Sequence, residues 1–378
     1  MMVALLVLPG LAILLAPAIW LILGRPRFLP IAKVEISSEE ASDRLSSSIS
    51  IIIPARNEQS NIVNLLESIN KQTLLAAEVI VVDDHSSDKT ASIASSLGAR
   101  VISSDSLPDG WMGKPWACQQ GAESADQRNW LLFLDADLTL EAEAIASLQK
   151  LANTSRGVHS VCPYHKTKKP YEQLSAFFNV LMLAGVNAFG SRQSSSEQSA
   201  LFGQCMMISA EQYQQVNGHN AVKNKTLENF HLAKELHRLN ISCSCYLGKG
   251  VINMRMFPTG LRELWQSWKK GFSGAASHTS GNTLFISSLW ITGMMFTIVC
   301  LIVLLSTQYS SLFAIFTTAA YIIHSLQCFI IFKLAGQFSL WNALLFPISL
   351  LFYQVLFFSS VIDKKRGKST HWKGRKIH

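Results

Sequence analysis

No Cys-x-x-Cys pair occurs in this chain, and its cysteines are odd in number: Cys118, Cys162, Cys205, Cys243, Cys245, Cys300 and Cys328. That pattern fits a reducing compartment and leaves out a structural zinc site. Cys243-Ser244-Cys245 reads as alternate faces of one strand rather than a ligand pair. No repeat at solenoid periods is present. No platform of interleaved basic and aromatic residues is present either, which argues against nucleic acid as a partner. The apolar stretches near the C-terminus carry hardly any ionisable residue beyond His324, which disfavours a pore or transporter. No basic region precedes the first apolar run, so a cleaved signal peptide fits poorly.

What is present is apolar and unevenly placed. Of 378 residues, 49% are hydrophobic and the mean hydropathy is +0.23. The excess gathers at residues 3–23 and after residue 284. The net charge of +8 gathers beside those segments, which points to a membrane surface. Val3 to Leu23 is long enough to span, and Pro9 and Pro17 are tolerable there. Arg25, Arg27 and Lys33 follow, so the positive-inside rule puts residue 25 onward in the cytoplasm. The chain then divides into a transmembrane helix (1–24), a polar linker (25–48), a globular domain (49–256, in halves 49–140 and 141–256), an interfacial amphipathic segment (257–281), C-terminal membrane helices (282–362) and a basic tail (363–378).

Within the interfacial segment, Arg262, Leu264, Trp265, Trp268, Lys269, Lys270 and Phe272 mix aromatics and cations, as expected at headgroup level. Three apolar stretches follow, at about 284–305, 311–332 and 338–361. Three full crossings would leave the basic tail outside, against the positive-inside rule. The stretch 338–361, with Pro347, is therefore the candidate for a re-entrant or interfacial segment. Leu174 to Phe189 is also strongly apolar. It reads equally as a helix at the interface or over an acceptor groove, and as a buried core helix.

The globular domain shows strands alternating with helices. Ser50–Ile53, Glu78–Val82, Ala99–Ser103 and Trp130–Leu134 are apolar runs of strand length. Ile62, Leu65, Leu66 and Ile69 recur at helical spacing, as do Ile93, Ala94 and Leu97 before the stop at Gly98. A further helix covers about 115–125. The expected fold is α/β, a doubly wound and mostly parallel sheet. In such sheets the carboxyl ends of the strands share one edge, where ligands bind. Those ends carry Pro54-Ala55-Arg56-Asn57-Glu58, Asp83 to Thr90, and Asp135-Ala136-Asp137. Two carboxylates at i and i+2 share a strand face and suit Mg²⁺ or Mn²⁺. The plainer reading of Asp-Ala-Asp alone is a solvated turn.

Together these loops, in this order and spacing, resemble family 2 glycosyltransferases over about residues 49–250. The resemblance implies a GT-A-type fold with a nucleotide-sugar half and an acceptor half. It also implies inverting transfer of a hexose from a nucleotide-activated sugar, here a UDP-sugar and glucose by preference. Asp109-Gly110-Trp111-Met112-Gly113-Lys114-Pro115-Trp116-Ala117, Pro163-Tyr164-His165 and His371-Trp372-Lys373-Gly374-Arg375 resemble, more narrowly, carotenoid-acid glycosyltransferases. Hopanoid-associated family 2 enzymes share the Gly-Trp-x-Gly-Lys stretch. The partners implied are a UDP-sugar, a lipid acceptor and the membrane. The best acceptor is a carotenoid carboxylate. A hopanoid, sphingoid or polyprenyl-phosphate lipid is the alternative, and a non-catalytic nucleotide-sugar-binding protein is the alternative of another class.

The residue roles follow from chemistry and resemblance together. Asp84 would accept the uracil imide N–H, or else act as a turn aspartate. Pro54, Arg56 and Glu58 would line the nucleotide pocket, with a local ion pair as the alternative for the last two. Lys114, at a loop-to-helix junction, suits phosphate. Asp137 would hold the divalent cation, and Asp135 would serve the ribose or the metal. The family has a Glu-Asp pair where this chain has Glu228-Asn229, and an amide cannot take a proton. Glu228 is therefore the candidate base, with His219 behind it. A carboxylic acid, with a pKa of about 4, is already ionised at neutral pH. An acceptor of that kind would tolerate Asn229.

Overall fold

The computed structural model describes residues 2–32, 46–127, 129–191, 200–225, 227–306, 309–366, 370–372 and 375–377. Most of the expected linker (33–45) lies outside the described residues, as do Lys368, Lys373 and Gly374 and the side chains of Lys270 and Phe272.

The first apolar run forms α1 (Met2–Leu15) and α2 (Ala18–Leu23), separated at Pro17. At the break the Trp20 N–H donates to the Pro17 carbonyl at 3.0 Å, one residue short of the helical partner Ala16. The side-chain amide of Gln327 donates to the Ala16 carbonyl at 2.9 Å, the kind of repair that lets membrane helices keep proline.

The globular domain follows as β1 (Ile49–Ala55), α3 (Ile62–Asn70), β2 (Glu78–Asp83), α4 (Thr90–Ser96), β3 (Arg100–Ser103), α5 (Gly113–Ser124) and β4 (Trp130–Leu134). Next come β5 (Leu138–Leu140), α6 (Ala144–Thr154), β6 (Val158–Cys162), β7 (Tyr164–His165), a 3₁₀ turn at Pro170–Ser175 and α7 (Ala176–Val186). The domain closes with β8 (Cys205–Ser209), α8 (Ala210–Gln215), α9 (Glu228–Arg238), β9 (Cys243–Leu247) and β10 (Ile252–Met254). The main sheet runs β3-β2-β1-β4-β8-β6-β9, and β8 alone is antiparallel to its neighbours. A small sheet, β5-β10-β7, lies beyond the end of β4.

Ile51, Ile52, Ile53, Leu131, Leu132 and Leu134 are all buried. Helices cover both faces of these central strands, which is why their sequences are continuous apolar runs rather than alternating ones. Each such side chain contributes roughly 1.5–3 kcal/mol of burial. In β9, Cys243 and Cys245 are both buried. This corrects their expected placement on alternate faces, because side chains two apart share a face.

Five helices complete the chain: α10 (Leu261–His278), α11 (Gly281–Ser306), α12 (Ser311–Ala335), α13 (Leu340–Leu344) and α14 (Phe346–Lys365). The stretch 174–189 resolves as a core helix, α7, with Phe177, Phe178, Val180 and Leu183 buried. Its Phe177 ring packs on Trp290, Phe332 and Tyr353 of the C-terminal helices, as the buried-helix alternative expects. The last apolar stretch is broken at Leu345 into α13 and α14. Its beginning is tied to the globular domain: the Gln337 N–H donates to the His165 carbonyl at 2.7 Å and Asn342 Nδ2 to the Gln173 carbonyl at 2.9 Å. Its end is tied to α10, where Lys269 Nζ lies 2.6 Å from Asp363 Oδ2. Thr370–Trp372 and Arg375–Ile377 form a terminal hairpin that sequence reasoning did not foresee.

Leu6–Leu23, Gly281–Leu305, Ser311–Ala335 and Phe346–Asp363 are each long and apolar enough to cross a membrane. Leu305 is 89% exposed and Ile302, Ile315 and Phe358 at least 60%. A contiguous apolar exterior of this kind marks a surface that does not face water.

Candidate active site

Two of the strand-end loops are latched together. Asn57 has a left-handed backbone (φ 53°), a conformation asparagine tolerates better than most residues. Its Oδ1 accepts from the Ser87 N–H at 2.8 Å, and its own N–H donates to Ser86 Oγ at 2.9 Å. The Glu58 N–H donates to Thr90 Oγ1 at 2.8 Å. Arg56 Nη1 donates to the Asp84 carbonyl oxygen at 2.9 Å and lies 3.6 Å from its Oδ2. Arg56 thus reaches across to the end of the second strand.

The third strand end supplies acid. Asp135 and Asp137 follow β4, and the Asp135 N–H donates to the Gln204 carbonyl at 2.9 Å. Lys114, in the first turn of α5, puts its ammonium 2.6 Å from Asp135 Oδ1 and 3.7 Å from Glu228 Oε1. It also donates to the Gly203 carbonyl at 3.3 Å. Burial alone would lower its pKa, but the Asp135 and Glu228 carboxylates outweigh that and hold it above the usual lysine range. Lys114 is therefore bound between two carboxylates rather than pointing freely from a helix end.

Pro54, Arg56, Glu58, Asp84, Lys114, Asp135 and Asp137 all line one cleft of about 460 Å³. Glu228 and His219 do not line it. They face a neighbouring cavity of about 20 Å³, shared with Pro54, Lys114, Asp135, Gly203 and Asn229. That is room for roughly one water. His219 Nδ1 lies 2.8 Å from Tyr213 Oη, and its ring meets Phe133 edge-on. Burial, then the nearby Lys114 charge, pushes it down to about 3. Asn229 lines that small cavity rather than the larger cleft, and its Nδ2 donates to the Leu201 carbonyl at 3.1 Å.

Sequence reasoning missed the cleft's far wall, Arg255 to Thr259 with Glu263 and Ser267. It follows β10, a three-residue strand too short to announce itself by periodicity. A basic residue just after a short apolar run was the only signal.

The carboxylates suit a divalent cation. Burial, then the charges of Asp135 and Glu58, pushes Asp137 up to about 7. Such an acid-rich pocket gains from a hard cation. Among the described residues no group of three His, Cys, Asp or Glu side chains is arranged to hold a metal alone. Mg²⁺-type ions are commonly held by one or two carboxylates plus substrate phosphates, and Asp137 with Asp135 fits that pattern.

The family described as glycosyl transferase family 2 matches residues 50–215. The 4,4′-diaponeurosporenoate glycosyltransferase of Staphylococcus haemolyticus is 36% identical over 253 residues, 66% of this chain and 67% of that protein. The Staphylococcus aureus (strain USA300) protein of the same name is 33% identical over 331 residues, 86% of this chain and 87% of that protein. The chain belongs to glycosyltransferase family 2. The resemblance carried by the three strand-end loops is borne out, and those loops fall inside the matched span. Among solved structures, glucosyl-3-phosphoglycerate synthase from Mycobacterium tuberculosis, in complex with Mn²⁺, UDP-glucose and phosphoglyceric acid, is 20% identical. It covers 68% of this chain and 88% of its own, with a TM-score of 0.45. In this family 2 enzyme the mostly parallel sheet and its strand-end cleft are the observed counterpart of the expected fold.

Proposed function

We propose that this enzyme transfers glucose from UDP-glucose to the carboxylate of a carotenoid acid, with inversion, at a membrane surface. Asn229 carries the reading. The position where the family places a proton acceptor holds an amide, and that amide is committed to the Leu201 carbonyl. A hydroxyl acceptor must lose a proton as it attacks, whereas a carboxylic acid arrives ionised at neutral pH. The Staphylococcus relatives bear the name of a carotenoid-acid glycosyltransferase and support the same acceptor.

The acceptor carboxylate oxygen forms a bond to the anomeric carbon. On the opposite face the bond from that carbon to the diphosphate oxygen breaks, and its electron pair leaves with UDP. The transition state is oxocarbenium-like. Asp84 accepts the uracil imide N–H, and Arg56 holds Asp84 in place. A divalent cation held by Asp137 and Asp135 would neutralise charge on the departing diphosphate. Lys114 stands between the donor cleft and Glu228, so its charge faces the junction where acceptor meets donor. Glu228 fixes Lys114. His219, with its pKa pushed down by burial to about 3, stays neutral and is a weak base.

The globular domain and the tail lie on the cytoplasmic face in this proposal. Arg25 and Arg27, just after α2, and Lys333, in the last turn of α12, sit at helix ends beside the globular domain. The α13–α14 stretch starts against the globular domain and ends against α10, which itself lines the cleft, and this supports re-entry rather than a fourth crossing. A reporter fused after His378 that reads on the outer side would overturn this topology.

The activity test is incubation of the full chain in detergent with UDP-glucose, a carotenoid acid and Mn²⁺. The expected product is heavier by one hexose and is cleaved by mild alkali, as an ester is. No product, or an alkali-stable one, would overturn the carboxylate reading.

A further inference from the structure

The far wall of the cleft carries a cation that the family's strand-end loops do not account for. In the antiparallel pairing of β10 with β5, Ile252 faces Leu140, Asn253 faces Thr139 and Met254 faces Leu138. Arg255 follows the end of that pairing, and it lines the cleft together with Asp137.

Arg255 is held from behind. Its Nη2 donates to Glu172 Oε1 at 2.8 Å. Glu172 is fully buried, and its other oxygen accepts the Lys168 N–H at 2.5 Å and the Lys169 N–H at 3.2 Å. A buried carboxylate with this many charge-assisted bonds is a fixed anchor. It does not line the cleft, whereas the Arg255 side chain is 30% exposed and does. Arg255 Nε is buried without a hydrogen-bond partner among the described residues.

The cleft lining sets Glu58, Asp84, Asp135, Asp137 and Glu263 against Arg56, Lys114 and Arg255. Arg56 is already against Asp84, and Lys114 is against Asp135. Both of those carboxylates themselves line the cleft. The counter-charge of Arg255 instead sits behind the wall. We propose that Arg255 binds the diphosphate oxygens of the donor beside the Asp137 site, with Glu172 as the residue that positions it. The inference rests on the UDP-sugar reading above. A planar guanidinium suits phosphate oxygens geometrically. Charge grows on the diphosphate as the anomeric bond breaks, so a guanidinium aimed there binds the transition state better than the ground state.

The test is binding of UDP and of uridine to the full chain in detergent, with EDTA and with Mn²⁺. Removing Arg255 alone would strand Glu172 as a buried charge, so the main variant pairs Arg255→Gln with Glu172→Gln. The expected result is UDP binding weaker by roughly tenfold to a hundredfold, the range of a charge-assisted hydrogen bond, with uridine binding unchanged. Arg255→Lys should recover part of the loss, because it keeps the charge and loses the fork. Unchanged UDP binding in the paired variant overturns the inference alone, since uridine binding shows the base site intact. Equal losses for UDP and uridine also overturn it, because the effect would then not be on the diphosphate. A parent protein that binds neither ligand overturns the donor reading and this inference with it.

Discussion

Asn229→Asp restores the residue type the family carries at this position, and it should fail to restore a base. Asn229 donates to the carbonyl of Leu201, a buried residue. Its side chain is also wedged against the Gly203 backbone: a Cβ added at Gly203 would meet Asn229 Cγ and Oδ1 at 2.8 Å. An aspartate here cannot swing into the cleft without displacing that loop. It would turn a carboxylate toward a carbonyl, acceptor against acceptor. The lost hydrogen bond is worth about 1 kcal/mol and the stranded acceptors about 1–3 kcal/mol more. The variant should therefore be less stable by about 2–4 kcal/mol at neutral pH. Burial and the facing carbonyl would raise the new carboxyl's folded pKa above its unfolded value of about 3.9. A raised folded pKa means the folded state takes up the proton first, so the deficit should narrow as pH falls toward 5. The assay is denaturation in detergent followed by tryptophan fluorescence, at neutral and acid pH, beside transfer to a carboxylic acid and to a matched alcohol. Parental stability together with new transfer to the alcohol would refute the reasoning, because Asn229 would then face the acceptor.

Asp137→Asn should slow UDP release from UDP-glucose by about 10³-fold, since metal charge stabilisation is worth several kcal/mol. EDTA should abolish release in the parent and Mn²⁺ restore it, while a parental rate in the variant would remove Asp137 from the metal site. Glu228→Gln should keep transfer to the carboxylic acid within about tenfold, because general-base catalysis is worth roughly 10²–10⁴. A loss at the upper end of that range, with Lys114 still in place, would make Glu228 the base after all. His219 and His165 are pushed down by burial to about 3 and about 4. The unfolded chain binds their protons first, below about pH 6.5. Stability should thus be full above that pH and fall as pH drops toward 4, by up to about 1.4 kcal/mol per unit per histidine. Denaturation midpoints that stay level between pH 7.5 and 5 would contradict it.

The parallel half was legible because each strand is an apolar run that ends abruptly in polar residues, and burial on both faces demands that pattern. Asp84, Asp135 and Asp137 follow from the shared edge of a parallel sheet. The burial of α7 was not legible, because Phe177 and Phe178 serve a lipid interface and a core equally well by composition. Packing against Trp290 and Phe332 decided it, and those contacts span more than a hundred residues of chain. Asn229 could be seen as a departure from the family, but its partner Leu201 could not. Arg255 was hidden for the same reason: it reaches the cleft that Asp137 lines only through the folding of β10 onto β5.

The same wall bears on how the proposed donor and apolar acceptor would meet at one site. The 3₁₀ turn at Pro170–Ser175 holds Glu172, which anchors Arg255 in the cleft. The same turn carries Tyr171, whose hydroxyl donates to the Phe257 carbonyl at 2.7 Å, where the cleft wall leads into α10. On α10, Glu263 and Ser267 face the cleft, as residues four apart on one helical face do. Trp265 and Trp268 on the same helix pack against Phe352 of α14 and Phe178 of α7. One face of α10 is therefore wall to the donor site and another is packed into the apolar helices. In the proposed reaction, the acceptor's apolar part would stay on the side where α10 packs into the apolar helices while its carboxylate reaches the cleft on the other side.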